Sequence, residues 1–437
     1  MKICEILRYF SFQDDRQEEI VGLSMDSRTI QKGELFLALG KGKEYIEQVK
    51  EISPLILSDE EVPHAVFIPH LKEKLTMFCC YFYGVDLSKL HLIGVVGTSG
   101  KSSIAYYLHQ LLENSFLITS LHHVPHSFYS EKTTPDGPIL ARALAKAIEE
   151  KRPNVILEVS SIGIAEHRVQ GLSFDRVIFT GIHEDHLDYH HTYENYKQVK
   201  LSFLSHLSCP VIWKDCAEKE VDFKRKDEEY MLSQANILQK DHRQTTLFFH
   251  GQKWCLPFVE DFAIENAIGA ISLAESYQGN RPSILLKVVP GRMEKIHENP
   301  DVIIDYAHCA FEMESALKEA KKQCKGKLWV LFGAGGNREK NKRKEYGKLV
   351  RRFADFAIVT NDNPRKEDEK KIVQDITSGD PFFRVIYNRK KAIEEALSHA
   401  QKEDLILILG KGREEVQEIG EVKIPFSDAQ VVEEYYE

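Results

Sequence analysis

Short apolar runs recur along the chain, and clusters of polar residues follow them. From residue 91 the runs fall at 91–96, 155–159, 175–182 and 209–213. Each has the length of a buried strand and is too short for a helix. The clearest helical pattern lies just after the first run, where Ile104, Tyr107, Leu108 and Leu111 share one face. A second alternating block starts near residue 300, with "DVIIDYAH", "LWVLFGAGG", "FAIVTNDNP", "RVIY" and "LILILGKG" strand-like. Helical stretches such as 311–323 and 390–402 separate them. This alternation predicts an α/β protein with parallel sheets and helices on their faces. Residues 1–88 mix short runs ("GELFLAL", "AVFI") with turns. With a boundary near "VVPGRME", the expected units are 1–88, 89–289 and 290–437.

Bulk properties narrow the class. The 437 residues suffice for two or three domains and a large core. A net charge of −9 argues against a nucleic-acid or anionic-membrane partner. The basic stretch "REKNKRKEYGK" reads as a solvated helix face. Cysteines at 4, 79, 80, 209, 216, 255, 309 and 324 form no C-x-x-C pair. They read as reduced, mostly buried thiols of a cytoplasmic protein. The start carries acids where a signal peptide needs an apolar core, and runs such as "LILIL" fall short of a membrane span.

Candidate chemistry sits where strands end. In "HLIGVVGTSGKSS" an apolar run meets a glycine-rich turn and then a helical pattern. Backbone N–H groups in such a turn cradle phosphate oxygens, and the helix adds its positive end. Lys101 supplies a charge, and Ser102 or Ser103 suits Mg²⁺. The strict G-x-x-x-x-G-K-[ST] spacing fails, because Val95 holds the first glycine position. The alternative is a turn with a chance lysine. "LEVSS" puts Glu158 at a strand end, and "FTGIHEDHLDYH" puts His186 in an acidic, His-rich loop. A carboxylate and an imidazole beside a phosphate loop suit Mg²⁺; "HEDHLD" also reads as a plain helix start. "DYAH", "GAGGNRE", "NDNPR" and "GKGRE" all lie at strand carboxyl ends, where ligands of such sheets bind. One convergent site is expected.

In order along the chain, "GTSGKSS", "LEVSS", "DHLDYHHTYENYKQVK", "VPGRMEKI", "DYAH", "FGAGGNREKNKR", "NDNPR" and "GKGRE" resemble the Mur ligases, and "DSRTIQKGELFLAL" resembles their uridine-nucleotide domain. Within that family the likeness is to the branch that adds the third amino acid of the peptidoglycan stem peptide. Its loop has the shorter G-T-x-G-K-[ST] form, which accounts for Val95. The resemblance implies a small N-terminal uridine-nucleotide-binding α/β domain, a central P-loop ATPase-like parallel-sheet domain and a C-terminal Rossmann-like α/β domain. It implies a monomeric cytoplasmic ligase that uses ATP and two Mg²⁺. The acid substrate would be UDP-MurNAc-L-Ala-D-Glu, activated as an acyl phosphate and attacked by an amino acid's amine.

The resemblance carries roles to individual residues. Gly97, Thr98, Ser99, Gly100, Lys101, Ser102 and Ser103 would meet ATP, with Asn266, Arg292 and Asp305. Ser102, Glu158 and His186 would hold Mg²⁺, joined by Lys200 as a CO₂-derived carbamate. On its own residues Lys200 is an ordinary amphipathic-helix lysine. Met25, Ser27, Thr133, Thr134, Ser160, Glu166 and Arg168 would bind the uridine-nucleotide substrate; unaided, "TTP" reads as a turn. His308 matches a recurring family position, and by itself reads as a strand-end hydrogen bonder. Arg338, Asp362, Asn363, Pro364, Arg365, Gly410 and Glu414 would form the amino-acid pocket.

The added amino acid is expected to be meso-diaminopimelate. Pro364 stiffens a turn that projects Asn363 and Arg365. The Arg365 fork suits the distal carboxylate, which lysine lacks, and Glu414 would hold the distal ammonium. The alternative pairs Arg365 with an acid of "KEDE". Ile162, Glu166, Gly181, Cys309-Ala310 and Arg413 depart from the family pattern, and the loop after Leu39 is shortened. Arg413 is expected to add a cation near the pocket. Two further classes stay open: an amide ligase with another acid or amine, such as a folylpolyglutamate-type enzyme, and a non-catalytic scaffold.

Overall fold

The computed structural model describes residues 1–214, 226–279 and 285–437. Cys216 lies outside them; of the seven cysteines described, five are buried. Among the described residues, no helix is long and apolar enough to cross a membrane.

Four short parallel strands form the first sheet, in the order β1 (Gly22–Ser24), β2 (Glu34–Ala38), β3 (Ile56–Ser58) and β4 (Val66–Phe67). The second sheet comprises β5 (His91–Val96), β6 (Ser115–Thr119), β7 (Ser127–Tyr129), β8 (Asn154–Val159), β9 (Arg176–Phe179), β10 (Val211–Lys214) and β11 (Lys226–Tyr230). Its seven strands lie parallel in the order β11-β10-β9-β5-β8-β6-β7. A small antiparallel sheet follows, made of β12 (Asn236–Lys240), β13 (Thr245–Phe249) and β14 (Gln252–Leu256).

The third large sheet contains β15 (Glu294–His297), β16 (Asp301–Asp305), β17 (Leu328–Phe332), β18 (Phe356–Val359), β19 (Phe383–Val385) and β20 (Leu405–Leu409). Its order is β15-β16-β20-β17-β18-β19, with only β15 antiparallel. The hairpin β21 (Val416–Ile419) and β22 (Val422–Pro425) stands apart from it.

The strand period of two explains the layers. On β8, Val155, Leu157 and Val159 enter a core shared with the first sheet, while Ile156 faces the opposite core. That opposite core is filled by helices Lys101–Leu111 and Asp261–Gln278. On β20, Leu405, Leu407 and Leu409 alternate with Ile406 and Ile408 between two cores in the same way. Strands buried on both faces read as continuous apolar runs, which is why the pattern predicts them. β9 is shorter than the expected 175–182, because the chain leaves the sheet at Thr180 and Gly181 accepts a hydrogen bond from the Thr98 amide, 3.0 Å.

Candidate active site

Strand order sets the site. β5 lies between β9 and β8, so the turn after β5 meets Glu158 on one side and residues 180–186 on the other. Helix Lys101–Leu111 begins at Gly100, whose φ is +84°. A Cβ on Gly100 would sit 2.7 Å from Asn266 Oδ1, so a side chain there would displace Asn266. The Lys101 ammonium donates to the Gly97 and Thr98 carbonyls, 3.1 and 2.5 Å. The buried Ser99 hydroxyl has no partner among the described residues. Thr180 Oγ1 donates to the Ser99 carbonyl, 2.6 Å.

Glu158 is fully buried. Its oxygens accept from the Ser102 hydroxyl, 2.7 Å, and the Thr119 hydroxyl, 3.0 Å. Burial pushes its carboxyl pKa up, against those hydrogen bonds and the Lys101 charge. His186 lies 3.5 Å from Asp185, Nε2 to Oδ2. Burial, with the charges of Lys101, His308 and Lys200, lowers the His186 pKa to about 4, so the ring is neutral at pH 7. Lys200 stands behind the loop, 1% exposed. Its Nζ donates to Thr98 Oγ1, 3.3 Å, and to the Tyr196 hydroxyl. Burial first, and the Lys101 charge second, drive its pKa well below the usual lysine range.

These groups border a cleft of about 470 Å³. From the unit of the second sheet Lys101, Ser102, Glu158 and His186 line it, with Thr98 and Gly100. From the unit of the third large sheet Arg292 and His308 line it. Arg292 stacks 4.9 Å over the Tyr306 ring and lies 3.9 Å from Glu312. Asp305 is buried beside it and accepts from the Met293 and Ala307 amides, both 2.7 Å. Arg338, Asp362, Asn363, Arg365, Gly410 and Glu414, after strands of the same sheet, line it as well. Pro364 forms the turn between two of them. Gly97, Ser99, Ser103 and Asn266 belong to the loop region without lining the cleft.

The expected uridine-nucleotide residues divide. Thr133, Ser160 and Arg168 line the cleft. Thr134 is fully buried and its hydroxyl is spent on the Glu158 carbonyl, 2.8 Å, and the Ser160 amide, 2.8 Å. It therefore shapes the loop rather than facing the cleft. Glu166 accepts from the Tyr189 hydroxyl. Met25 and Ser27 lie on the turn after β1, beside Asp26, whose carboxyl pKa is lowered chiefly by its hydrogen bonds to Arg28.

Two arginines near the pocket have distant partners. Arg413 stands next to Glu414 in the chain but does not line the cleft. Its guanidinium grips Glu294 at 2.9 and 2.7 Å, fastening the "PGRME" segment to the "GKGRE" loop. Arg365 pairs with no acid of "KEDE"; its partner is Glu418 of the β21–β22 hairpin, 2.7 Å from Nε. Contacts over such sequence separations leave no local signal.

The pattern also passed over several residues. Lys411, fully buried, donates to Glu414, 2.7 Å, and Asn363, 3.1 Å. Its place inside "GKGRE" was the available signal. Across the cleft, Lys342 pairs with Asp185, 3.0 Å, and Phe311 stacks on His183 with ring centroids 3.8 Å apart. Among the described residues, no group of three or more His, Cys, Asp and Glu side chains gathers to hold a metal.

A phosphate-type loop on a parallel sheet, facing a second parallel-sheet unit across a polar cleft, defines a nucleotide-using α/β ligase architecture. The chain belongs to the Mur ligase family. The Mur ligase middle domain matches residues 95–274, and the Mur ligase glutamate ligase domain matches residues 291–412. The UDP-N-acetylmuramoyl-L-alanyl-D-glutamate--2,6-diaminopimelate ligase of Aquifex aeolicus is 32% identical, over 95% of this chain and 94% of its own. The protein of the same name from Haemophilus ducreyi is 30% identical, over 94% and 95%. A solved structure of a ligase of that name covers 100% of this chain and 99% of its own, with 25% identity and a TM-score of 0.63. Mycobacterium tuberculosis folylpolyglutamate synthase shares the fold, with a TM-score of 0.63 at 16% identity over 78% of this chain and 92% of its own.

Proposed function

We propose that this protein is the ATP-dependent amide ligase that joins meso-diaminopimelate to UDP-MurNAc-L-Ala-D-Glu. One observation carries the reading: a single cleft is lined by a phosphate loop and Glu158 from the unit of the second sheet and by Arg365, Asn363 and Glu414 from the unit of the third large sheet. A phosphoryl donor and a dicarboxylic amino acid can therefore flank one acyl group. We take the domains as 1–88 for the uridine nucleotide, 89–289 for ATP and 290–437 for the amino acid, in a cytoplasmic monomer.

The loop fits a triphosphate. Behind the lining Ser99 keeps an unsatisfied buried hydroxyl, and Lys101, within the lining, offers charge. Phosphoryl transfer needs charge neutralisation more than covalent help. The Ser102 hydroxyl, the Glu158 carboxylate and the neutral His186 ring are a donor set for Mg²⁺. Bound there, Mg²⁺ would neutralise phosphate charge. Lys200 fits carbamylation, because a buried neutral amine is the form that adds CO₂. As a carbamate it supplies oxygen ligands instead of a repelling ammonium.

The remaining assignments follow the same division. Gly97–Ser103, Asn266, Arg292 and Asp305 serve ATP. Met25, Ser27, Thr133, Thr134, Ser160, Glu166 and Arg168 serve the uridine-nucleotide acid, Thr134 through the loop it shapes. Arg338, Asp362, Asn363, Pro364, Arg365, Gly410 and Glu414 serve the amino acid. Charge alternates at that end: Lys411 holds Glu414 and Glu418 holds Arg365. A zwitterionic distal group matches this alternation; a lone ammonium does not.

The test is phosphate release from ATP with UDP-MurNAc-L-Ala-D-Glu and competing amino acids. Release that requires diaminopimelate supports the reading. Preference for L-lysine, for a folate substrate, or no turnover with any acid would overturn it.

A further inference from the structure

The Arg365 side chain is held from behind. It leaves a turn at Pro364 with its own φ at +52°, in the left-handed region. Its amide donates to the Glu418 carbonyl, 3.1 Å, and its carbonyl accepts from the Gly420 amide, 2.8 Å. The Arg365 main chain thus pairs in parallel with Ile419 of the hairpin. Asn363 is held by the same strand, its Oδ1 accepting from the Glu418 amide, 3.0 Å.

The guanidinium is fixed on two of its three nitrogens. Nε donates to Glu418 Oε2, 2.7 Å, and Nη1 donates to the Gly336 carbonyl, 3.1 Å. Nη1 also lies where a Cβ on Gly335 would come within 3.0 Å, so the absent side chain makes room for the fork. Nη2 makes no hydrogen bond among the described residues. Arg365 lines the cleft, whereas Glu418 lies outside the lining. A fork anchored at Nε has only its outer edge left for a ligand.

We propose that Glu418 is a positioning residue that aims the outer edge of Arg365 at the distal carboxylate of the amino-acid substrate and so sets selectivity for a dicarboxylic acceptor. This rests on the acceptor reading above. Two bonds to fixed partners remove rotamer freedom from a long side chain before the ligand arrives, and preorganisation of that kind raises affinity. Glu418 reaches the substrate only through Arg365, so its contribution vanishes for acceptors without the distal carboxylate.

The experiment compares Glu418→Ala, Glu418→Gln, Arg365→Ala and the double variant Arg365→Ala/Glu418→Ala with the wild-type enzyme. The acceptors are diaminopimelate and its decarboxylated analogue, L-lysine. Glu418→Ala should raise KM for diaminopimelate about tenfold, the loss of one charge-assisted hydrogen bond, with kcat and KM for ATP within about twofold. Glu418→Gln keeps an acceptor oxygen and should recover most of the loss. The double variant should match Arg365→Ala alone, and kcat/KM for lysine should not move. An unchanged KM for diaminopimelate, a lowered one, or equal losses for both acceptors would overturn the role of Glu418. Wild-type enzyme that makes no product with diaminopimelate overturns the acceptor reading, and the inference with it.

Discussion

Lys200 Nζ and Thr98 Oγ1 meet at 3.3 Å from positions 102 residues apart. The same threonine hydroxyl lies 2.7 Å from the Tyr196 hydroxyl and accepts from the His183 amide, 3.0 Å. Helix Tyr193–His206 is thereby tied directly to the phosphate loop, and the lysine sits where a permanent charge would face Lys101.

That geometry makes Lys200 sensitive to charge rather than size. Lys200→Arg places an unremovable cation in a dry site. Phosphate release should fall at least about a hundredfold, the scale of one lost electrostatic group. Lys200→Ala should be equally weak and partly restored by formate or acetate, which can occupy the vacated anionic position. Full activity in folded Lys200→Arg would sink the carbamate.

Lys101 supplies the loop's own cation. Lys101→Ala should reduce phosphate release about a hundredfold or more while leaving the thermal transition near that of wild type. Activity assays run beside a melting curve decide this. A folded variant of near-normal rate would remove Lys101 from the chemistry.

Arg365→Ala deletes the fork itself. A charge-assisted hydrogen bond contributes about 1.5–3 kcal/mol, so KM for diaminopimelate should rise about tenfold or more. Steady-state kinetics against diaminopimelate, with ATP saturating, give the answer.

Deeper in the same unit, Arg389 and Asp428 form a fully buried bidentate pair, 2.7 Å at both contacts. Asp428→Asn leaves the guanidinium uncompensated and should cost about 3–5 kcal/mol. Chemical denaturation of the two proteins measures the difference.

Acid should destabilise the fold in two stages. The His186 pKa lies near 4 in the folded chain, below about 6.5 when unfolded, so protonation favours the unfolded chain as pH falls through that window. Glu367 is held near 2 by its hydrogen bonds to Arg343, below its unfolded value of 4.5. Its contribution is present above pH 4.5 and is lost toward pH 2. Stability measured from pH 8 to pH 2 should decline in both windows, and Glu367→Gln should flatten the lower one.

The large parallel sheets were legible because strands buried on both faces write unbroken apolar runs. β6, flanked by Ser115 and Thr119, is just as buried, yet the run was too short to stand out. The β12–β14 sheet was illegible for the opposite reason: β12 is exposed along its whole length. The site's phosphate end could be read from "GTSGKSS", because the turn and the helix start are local chemistry. At the other end the strand-end motifs located the lining residues, but the partners that fix them could not be read. Arg365 and Arg413 found partners 53 and 119 residues away, and no pattern of neighbours distinguishes an arginine facing a ligand from one facing Glu294.

The first sheet and one face of the second close over a single core, running from Ile3 to Val211. At its seam Gly137 lies so close to helix Leu71–Phe82 that an added Cβ would stand 3.1 Å from Leu75 and 3.3 Å from Cys79. The first 88 residues are thus unsuited to exchange as a cassette. A chimera spliced near that point inherits half an interior, and must bring matching side chains for the facing half or collapse with it.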